Sequence, residues 1–247
     1  VEILVAENLA NPEDGFGLQQ VVLREVSSAG RDPTALMWTS SRYVGATRPE
    51  TRLPGFDEAV RAAEALGYPV LVRNSGGGAV AANEGSISFS LTFPVEDLRR
   101  GLFERYAEGA DLVAAALRRV GVEAESGEVE GEFCPGAHSV RSGGSRGVKH
   151  AGLAQRVTRR AARLEALILV SNTAGLIPVL ERFYAALKLP FRPESLRDLP
   201  AGTQEVIEAL SAEVRERYGG ERRRLEDVTL EKARSLRGEW RTVLETG

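Results

Sequence analysis

Apolar residues recur at helical spacing over residues 16–29, 57–66 and 101–120, and the pattern changes to strand-like alternation between and after them. The first two stretches stop at Gly30 and Gly67, where glycine can close a helix. The third carries Leu102, Phe103, Tyr106, Leu112, Val113 and Leu117 on or near one face. Residues 35–44, 68–73 and 86–93 read as strands; the last, SISFSLTF, alternates as a half-buried strand does. A glycine-rich turn at 75–78 makes a hairpin-like unit of the latter two. Further strands are predicted at 121–124, 137–141, 148–155 and 164–171, with the polar segment 141–147 (RSGGSRG) as a long hairpin turn. Beyond Asn172 the spacing is helical over 175–187, 203–218 and 228–244, the last two rich in Glu and Arg and read as solvated packing helices.

Regular β-α-β alternation is missing, so the predicted fold class is α+β: a mixed, largely antiparallel sheet flanked by helices. At 247 residues one such domain with an appendage fits better than two equal domains. Residues 1–200 form the expected catalytic body and 201–247 a helical C-terminal extension packed on it.

Composition narrows the function classes. A net charge of −3 gives no reason to expect nucleic acid or an anionic membrane as partner. No apolar run approaches the roughly 18 residues of a spanning helix. The first residues lack the basic start and apolar middle of a signal peptide. Cys134 is the only cysteine, which suits a reducing compartment, and a cytoplasmic location is expected. Only Lys149, Lys188 and Lys232 among 32 basic residues are lysines, so a lysine here carries more information than usual. Unlike arginine, lysine can give up its proton at a site.

Three stretches carry candidate chemistry. Arg73-Asn74-Ser75-Gly76-Gly77-Gly78-Ala79-Val80 follows a strand with three glycines, whose backbone N–H groups can approach a ligand oxygen closely. In Gly131-Glu132-Phe133-Cys134-Pro135-Gly136 the Pro-Gly pair predicts a turn with proline second and glycine third, holding the thiol at a strand edge. In 147–155 (GVKHAGLAQ) the small residues Ala151, Gly152 and Ala154 leave room for a narrow acyl slot, with Lys149 at its mouth. Neither G-x-G-x-x-G nor a Walker loop is present.

Together the stretches resemble the biotin/lipoate protein ligase superfamily, whose lipoate branch carries R-x-S-G-G-G-A-V and, later, G-x-K-x-x-G-x-A; here these are 73–80 and 147–154. The likeness runs from about residue 15 to 200. F-C-P-G before the lysine strand is similar to the octanoyl/lipoyl amidotransferases. That resemblance implies a biotin/lipoate ligase-like catalytic domain in which Cys134 carries the acyl group as a thioester and Lys149 is the site lysine. Arg73, Ser75, Gly76, Gly77, Gly78, Ala79, Gly152 and Ala154 would line the acyl site. It implies the glycine cleavage H protein as octanoyl or lipoyl donor and lipoyl domains of 2-oxoacid dehydrogenases as acceptors; a thioester on acyl carrier protein is the alternative donor. Two departures stand out. His138-Ser139 replaces the family's Tyr-Asp or Asn-Asp, and the turn before Lys149 is longer and more polar. Loss of that aspartate disfavours the ATP- and Mg-using ligase, so no cofactor is expected.

A nearby cation favours a thiolate, and Lys149 is the candidate. N–H groups of the 76–78 loop are candidate oxyanion donors, each typically worth about 2.7–4 kcal/mol in a transition state. His138, four residues after Cys134, is an alternative base; His150 on a strand would face away from Lys149. Cys134, His138 and His150 lack the spacing of a metal site. A third possibility is an acyl-binding protein that does not turn over.

Overall fold

The computed structural model describes residues 1–97 and 101–242. Strand β1 (Glu2–Leu9), helix α1 (Pro12–Ser27), β2 (Thr34–Ser40), β3 (Tyr43–Thr47), α2 (Phe56–Glu64), β4 (Val70–Arg73), β5 (Val80–Ala82) and β6 (Ser86–Pro94) come first. Then follow α3 (Leu102–Arg119), β7 (Glu125–Ser126), β8 (Val140–Ser142), β9 (Val148–Val157), β10 (Ala161–Leu169), α4 (Ile177–Ala186), α5 (Thr203–Tyr218), β11 (Glu221–Arg222) and α6 (Asp227–Arg234). Eight strands make a main sheet in the order β11-β1-β2-β6-β10-β9-β8-β7, and three make a second, β4-β3-β5. In the main sheet β1 is parallel to β11 and β2, and the other pairings are antiparallel. The expected α+β class and largely antiparallel sheet are therefore present.

Side-chain alternation places two cores on the main sheet. Ile3, Met37, Ile87, Phe89 and Leu91 pack with α3 and α5 on one face, while Leu4, Leu36 and Trp38 pack with α1 on the other. Helix α5 puts Val206, Ile207, Leu210 and Val214 into the first core with no exposure, and β11 extends the sheet beside β1. The last described segment is α6, a break, and a 3-10 turn at Arg237–Glu239 in place of one helix over 228–244; residues 243 and 244 lie outside the described residues.

Four expectations are corrected. Residues 35–44 are two strands in different sheets, because Ser41 is pinned to the end of β1 by N–H to Leu9 O at 3.2 Å and Oγ to Ala10 O at 3.0 Å. The segments around the glycine loop are not a hairpin: β4 pairs with β3, β6 lies in the main sheet, and the three-residue β5 between them is too short to show alternation. Residues 121–124 are not a strand, since the chain after α3 first pairs at β7. Strand β6 is not half-buried, because the helix α1 layer covers the face of Ser86, Ser88, Ser90 and Thr92 as well. That row of small hydroxyl side chains leaves space under α1.

Candidate active site

Cys134 lies in the loop from β7 to β8, buried, with φ 44° in the left-handed region that non-glycine residues seldom occupy. Such a conformation costs on the order of 1–3 kcal/mol and persists where its surroundings fix it. Four contacts do so. The Cys134 N–H donates to Tyr184 Oη at 2.7 Å, and that hydroxyl donates to Ala79 O at 2.8 Å, tying the cysteine loop to the glycine loop. Lys149 Nζ donates to Phe133 O at 2.8 Å and Cys134 O at 2.9 Å. The expected Pro-Gly turn is displaced: the turn hydrogen bond runs from Ser139 N–H to Gly136 O at 3.0 Å. The reason is that Lys149 takes the Cys134 carbonyl, while Glu132 Oε1 accepts from Gly136 N–H at 3.1 Å and Ser139 Oγ at 2.7 Å.

The left-handed turn brings the sulfur to the glycine loop. Gly78 N–H donates to Sγ at 3.1 Å, and Arg73 Nη2 stands 3.9 Å from it. Gly77 has φ 91°, and a Cβ there would sit 2.8 Å from Sγ, so glycine is required on both counts. Arg73 is fixed by donating Nη2 to Gly78 O at 2.7 Å and Nη1 to Ser75 Oγ at 2.8 Å. Ser75 Oγ in turn donates to Glu165, which also pairs with Arg73 at 3.4 Å and Arg163 at 2.9 Å. The two guanidiniums, with the Ser75 and Arg163 hydrogen bonds, outweigh burial and hold the Glu165 carboxyl below its ordinary value.

Lys149 reaches this point through an irregularity in β9. Across β8, Arg141 faces Lys149 but Val140 faces Ala151, so His150 is an extra, bulged residue. Simple alternation would put Lys149 and Gly152 on opposite faces; the bulge resets the parity, and a Cβ on Gly152 would meet Lys149 Cε at 3.1 Å. The Lys149 side chain is fully buried, 3.5 Å from Glu132 Oε1 and 4.6 Å above the Phe133 ring. Burial pushes its amine below the ordinary lysine value, against the opposing pull of Cys134 and Glu132.

Beside the sulfur opens a narrow slot of about 40 Å³, lined among others by Cys134, Arg73, Gly152, Ala154, Ser88 and Trp38. Of the residues singled out in the sequence, Cys134, Arg73, Gly152 and Ala154 line it, and Gly77 and Gly78 touch its sulfur. Ser75 and Gly76 border a separate surface depression with Arg24, Arg48 and Arg156. Ala79 is in the core, its N–H donating to Glu50 Oε1 at 2.7 Å. His138 stacks on Tyr106 at 5.1 Å. His150 Nε2 bonds Ser142 Oγ at 2.8 Å, and burial, then Arg197, pushes its pKa down to about 4. Among the described residues no group of three or more His, Cys, Asp or Glu side chains is arranged to hold a metal ion. Tyr184, Glu50 and Glu165 were not foreseen; each acts from a distant segment, and no local signal marks it, whereas Glu132 lies within the cysteine stretch itself, where nothing in the spacing announces its role.

A family model described as the lipoyl protein ligase A/B catalytic domain matches residues 11–220. An octanoyl-GcvH:protein N-octanoyltransferase of Bacillus velezensis is 31% identical over 228 residues, 84% of this chain and 77% of that protein. The same-named protein of Geobacillus kaustophilus is 30% identical over 177 residues, 71% of this chain but 62% of its own length. In structure, lipoate-protein ligase A bound with ATP superposes with a TM-score of 0.76 at 20% identity, covering 96% of this chain and 94% of that one. A bipartite lipoate protein ligase of Thermoplasma acidophilum gives 0.70 at 20% identity over 96% and 92% of the two chains; at such identities the likeness speaks for the fold. The fold, the paired glycine and lysine stretches and the span of the match agree, and the chain belongs to the lipoyl protein ligase A/B catalytic-domain family.

Proposed function

We propose that the chain is a transferase that takes an octanoyl or lipoyl group from a carrier protein onto Cys134 and passes it to a lysine of a lipoyl-domain protein. The observation that carries this reading is the sulfur at the mouth of a narrow, mostly apolar slot, with the Gly78 N–H 3.1 Å away. The names of the Bacillus and Geobacillus relatives support the glycine cleavage H protein as donor. Acyl carrier protein is the alternative donor, and lipoyl domains of 2-oxoacid dehydrogenases are the acceptors. A lone thiol nucleophile fits a reducing, cytoplasmic setting; no described helix is long and apolar enough to cross a membrane.

In the first step the Cys134 thiolate attacks the acyl carbonyl. The C–S bond forms, the donor's C–N bond breaks, and the departing lysine amine takes a proton. In the second step the acceptor lysine amine attacks the thioester, C–S breaks, the thiolate is restored and the amine loses a proton. Cationic surroundings favour a thiolate, and Arg73 Nη2 is the cation in contact with the sulfur. Lys149, with two donors spent on the Phe133 and Cys134 carbonyls, holds the cysteine backbone and is the titratable group able to pass a proton beside it. The Gly78 N–H stands where oxyanion charge would develop next to sulfur. No nucleotide enters these steps. Position 139, an aspartate in the ligases, is Ser139, whose hydroxyl is spent on Glu132.

Intact mass after incubation with octanoylated H protein tests the reading. A gain of one octanoyl group that hydroxylamine removes, absent in Cys134→Ser, supports it. Tight association without an adduct would mean a binding protein, and octanoylation of the acceptor that needs ATP and free octanoate would mean a ligase.

A further inference from the structure

We infer that Glu50 is a positioning residue for acyl transfer: its carboxylate anchors a chain of hydrogen bonds that runs through the glycine loop and Tyr184 to the backbone of Cys134. This rests on the reading of Cys134 as the acyl-carrying thiol and of the Gly78 N–H as its oxyanion donor. Glu50 is buried, and it opens the 3-10 turn Glu50–Arg52 that follows β3. Its Oε2 accepts from the Thr47 N–H at 2.8 Å and from Thr47 Oγ1 at 2.9 Å, the backward reach of a capping glutamate. Capping uses only that oxygen. The other, Oε1, accepts from the Ala79 N–H at 2.7 Å, 29 residues along the chain.

From Ala79 the bonds continue in one sense. The Cys134 N–H donates to Tyr184 Oη at 2.7 Å, the Tyr184 hydroxyl donates to Ala79 O at 2.8 Å, and the Ala79 N–H donates to the carboxylate. Bonds aligned in this way polarise one another, and an ionised acceptor at the end strengthens the last of them. Burial, then the charge of Cys134, holds the Tyr184 hydroxyl well above its ordinary value, so it keeps its proton and goes on donating. Arg73 closes the clamp from the other side, with Nη2 donating to Gly78 O at 2.7 Å. The Gly78–Ala79 peptide therefore has a guanidinium on its carbonyl and a carboxylate on its N–H, and reversing it would set like against like. Three consecutive glycines otherwise leave the loop wide conformational freedom. The clamp keeps the Gly78 N–H 3.1 Å from Sγ.

An amide cannot take the place of this carboxylate. Both carboxylate oxygens accept, and between them they satisfy the Thr47 N–H, the Thr47 hydroxyl and the Ala79 N–H. Glutamine has one acceptor oxygen, so its NH₂ would face either the Thr47 N–H or the Ala79 N–H, donor against donor. Glu50→Gln thus keeps the size of the side chain and opens one link of the chain.

The test compares two reactions of Cys134, the only cysteine, each followed by intact mass: acylation by the octanoyl thioester of N-acetylcysteamine and alkylation by iodoacetamide. Attack on the thioester builds an oxyanion, whereas displacement of iodide does not. Glu50→Gln is expected to lower the maximal acylation rate by about tenfold or more and to leave the half-saturating thioester concentration within about twofold, while alkylation changes by less than about threefold. Thr47→Val removes one of the bonds that hold Glu50; it should lower the ratio of acylation to alkylation by a smaller factor, and it carries the test if Glu50→Gln does not fold. A folded variant in which acylation does not fall relative to alkylation overturns the assignment, and an equal loss of both rates would mean that Glu50 serves the fold alone. Failure of the parent to form an adduct with either the thioester or octanoylated H protein sinks the acyl-site reading instead.

Discussion

Removing the Lys149 amine should expose how far the cysteine loop depends on a buried ion pair. Lys149 and Glu132 have fully buried side chains, with Nζ 3.5 Å from Oε1, and Glu132 Oε2 has no hydrogen-bond partner among the described residues. Lys149→Met keeps the chain's volume but leaves a carboxylate in the interior without its cation. Breaking such a pair typically costs about 3–5 kcal/mol. The same variant takes the donor from the Phe133 and Cys134 carbonyls, which adds to the loss. Urea unfolding should therefore show Lys149→Met at least about 3 kcal/mol less stable than the parent at pH 7. Lys149→Met with Glu132→Gln should recover about 2 kcal/mol, a coupling of the size expected for side chains in contact. A single-variant deficit below about 1 kcal/mol, or no recovery in the double variant, would refute the reasoning.

Other outcomes follow from the same geometry. Tyr184→Phe strips partners from the Cys134 N–H and the Ala79 carbonyl; unfolding should show a loss of about 1–3 kcal/mol, and adduct formation at Cys134 should slow. Gly77→Ala forces a side chain at φ 91° against the sulfur, so thioester formation should drop by about tenfold or more while most of the fold's stability remains. His150 is held at about 4, so between that value and 6.5 the unfolded chain binds the extra proton. Stability should then be full above pH 6.5 and decline by up to about 3 kcal/mol as the pH falls toward 4, a decline smaller in His150→Gln when both are followed by urea titration.

The parts of the site that were legible in the sequence are those whose chemistry is local. Three glycines after Arg73, the lone cysteine before Pro-Gly, and a lysine among small residues each stand out within a few positions of chain. Their supports do not. Tyr184 reaches the cysteine from α4, Glu50 holds the glycine loop from a short 3-10 turn, and Glu165 holds Arg73 from the middle of an apolar strand. Each is an ordinary residue in its own neighbourhood. The sheet was legible as largely antiparallel because β6, β9 and β10 are long. Strands of two or three residues, β5, β7, β8 and β11, are too short for a period of two to emerge. The serine face of β6 misled for another reason: alternation reports polarity, and here the polar face looks onto a slot beneath a helix instead of onto water.

The bulge at His150 gives the site an unusual kind of fragility. Drawing the strand out into regular alternation, with the same residues, would leave every proposed functional side chain in the sequence and every glycine in its loop. It would nonetheless turn the amine toward the layer of α3 and α5, away from the thiol. In this chain one unpaired residue, as much as any side chain, decides which way the proposed site lysine points.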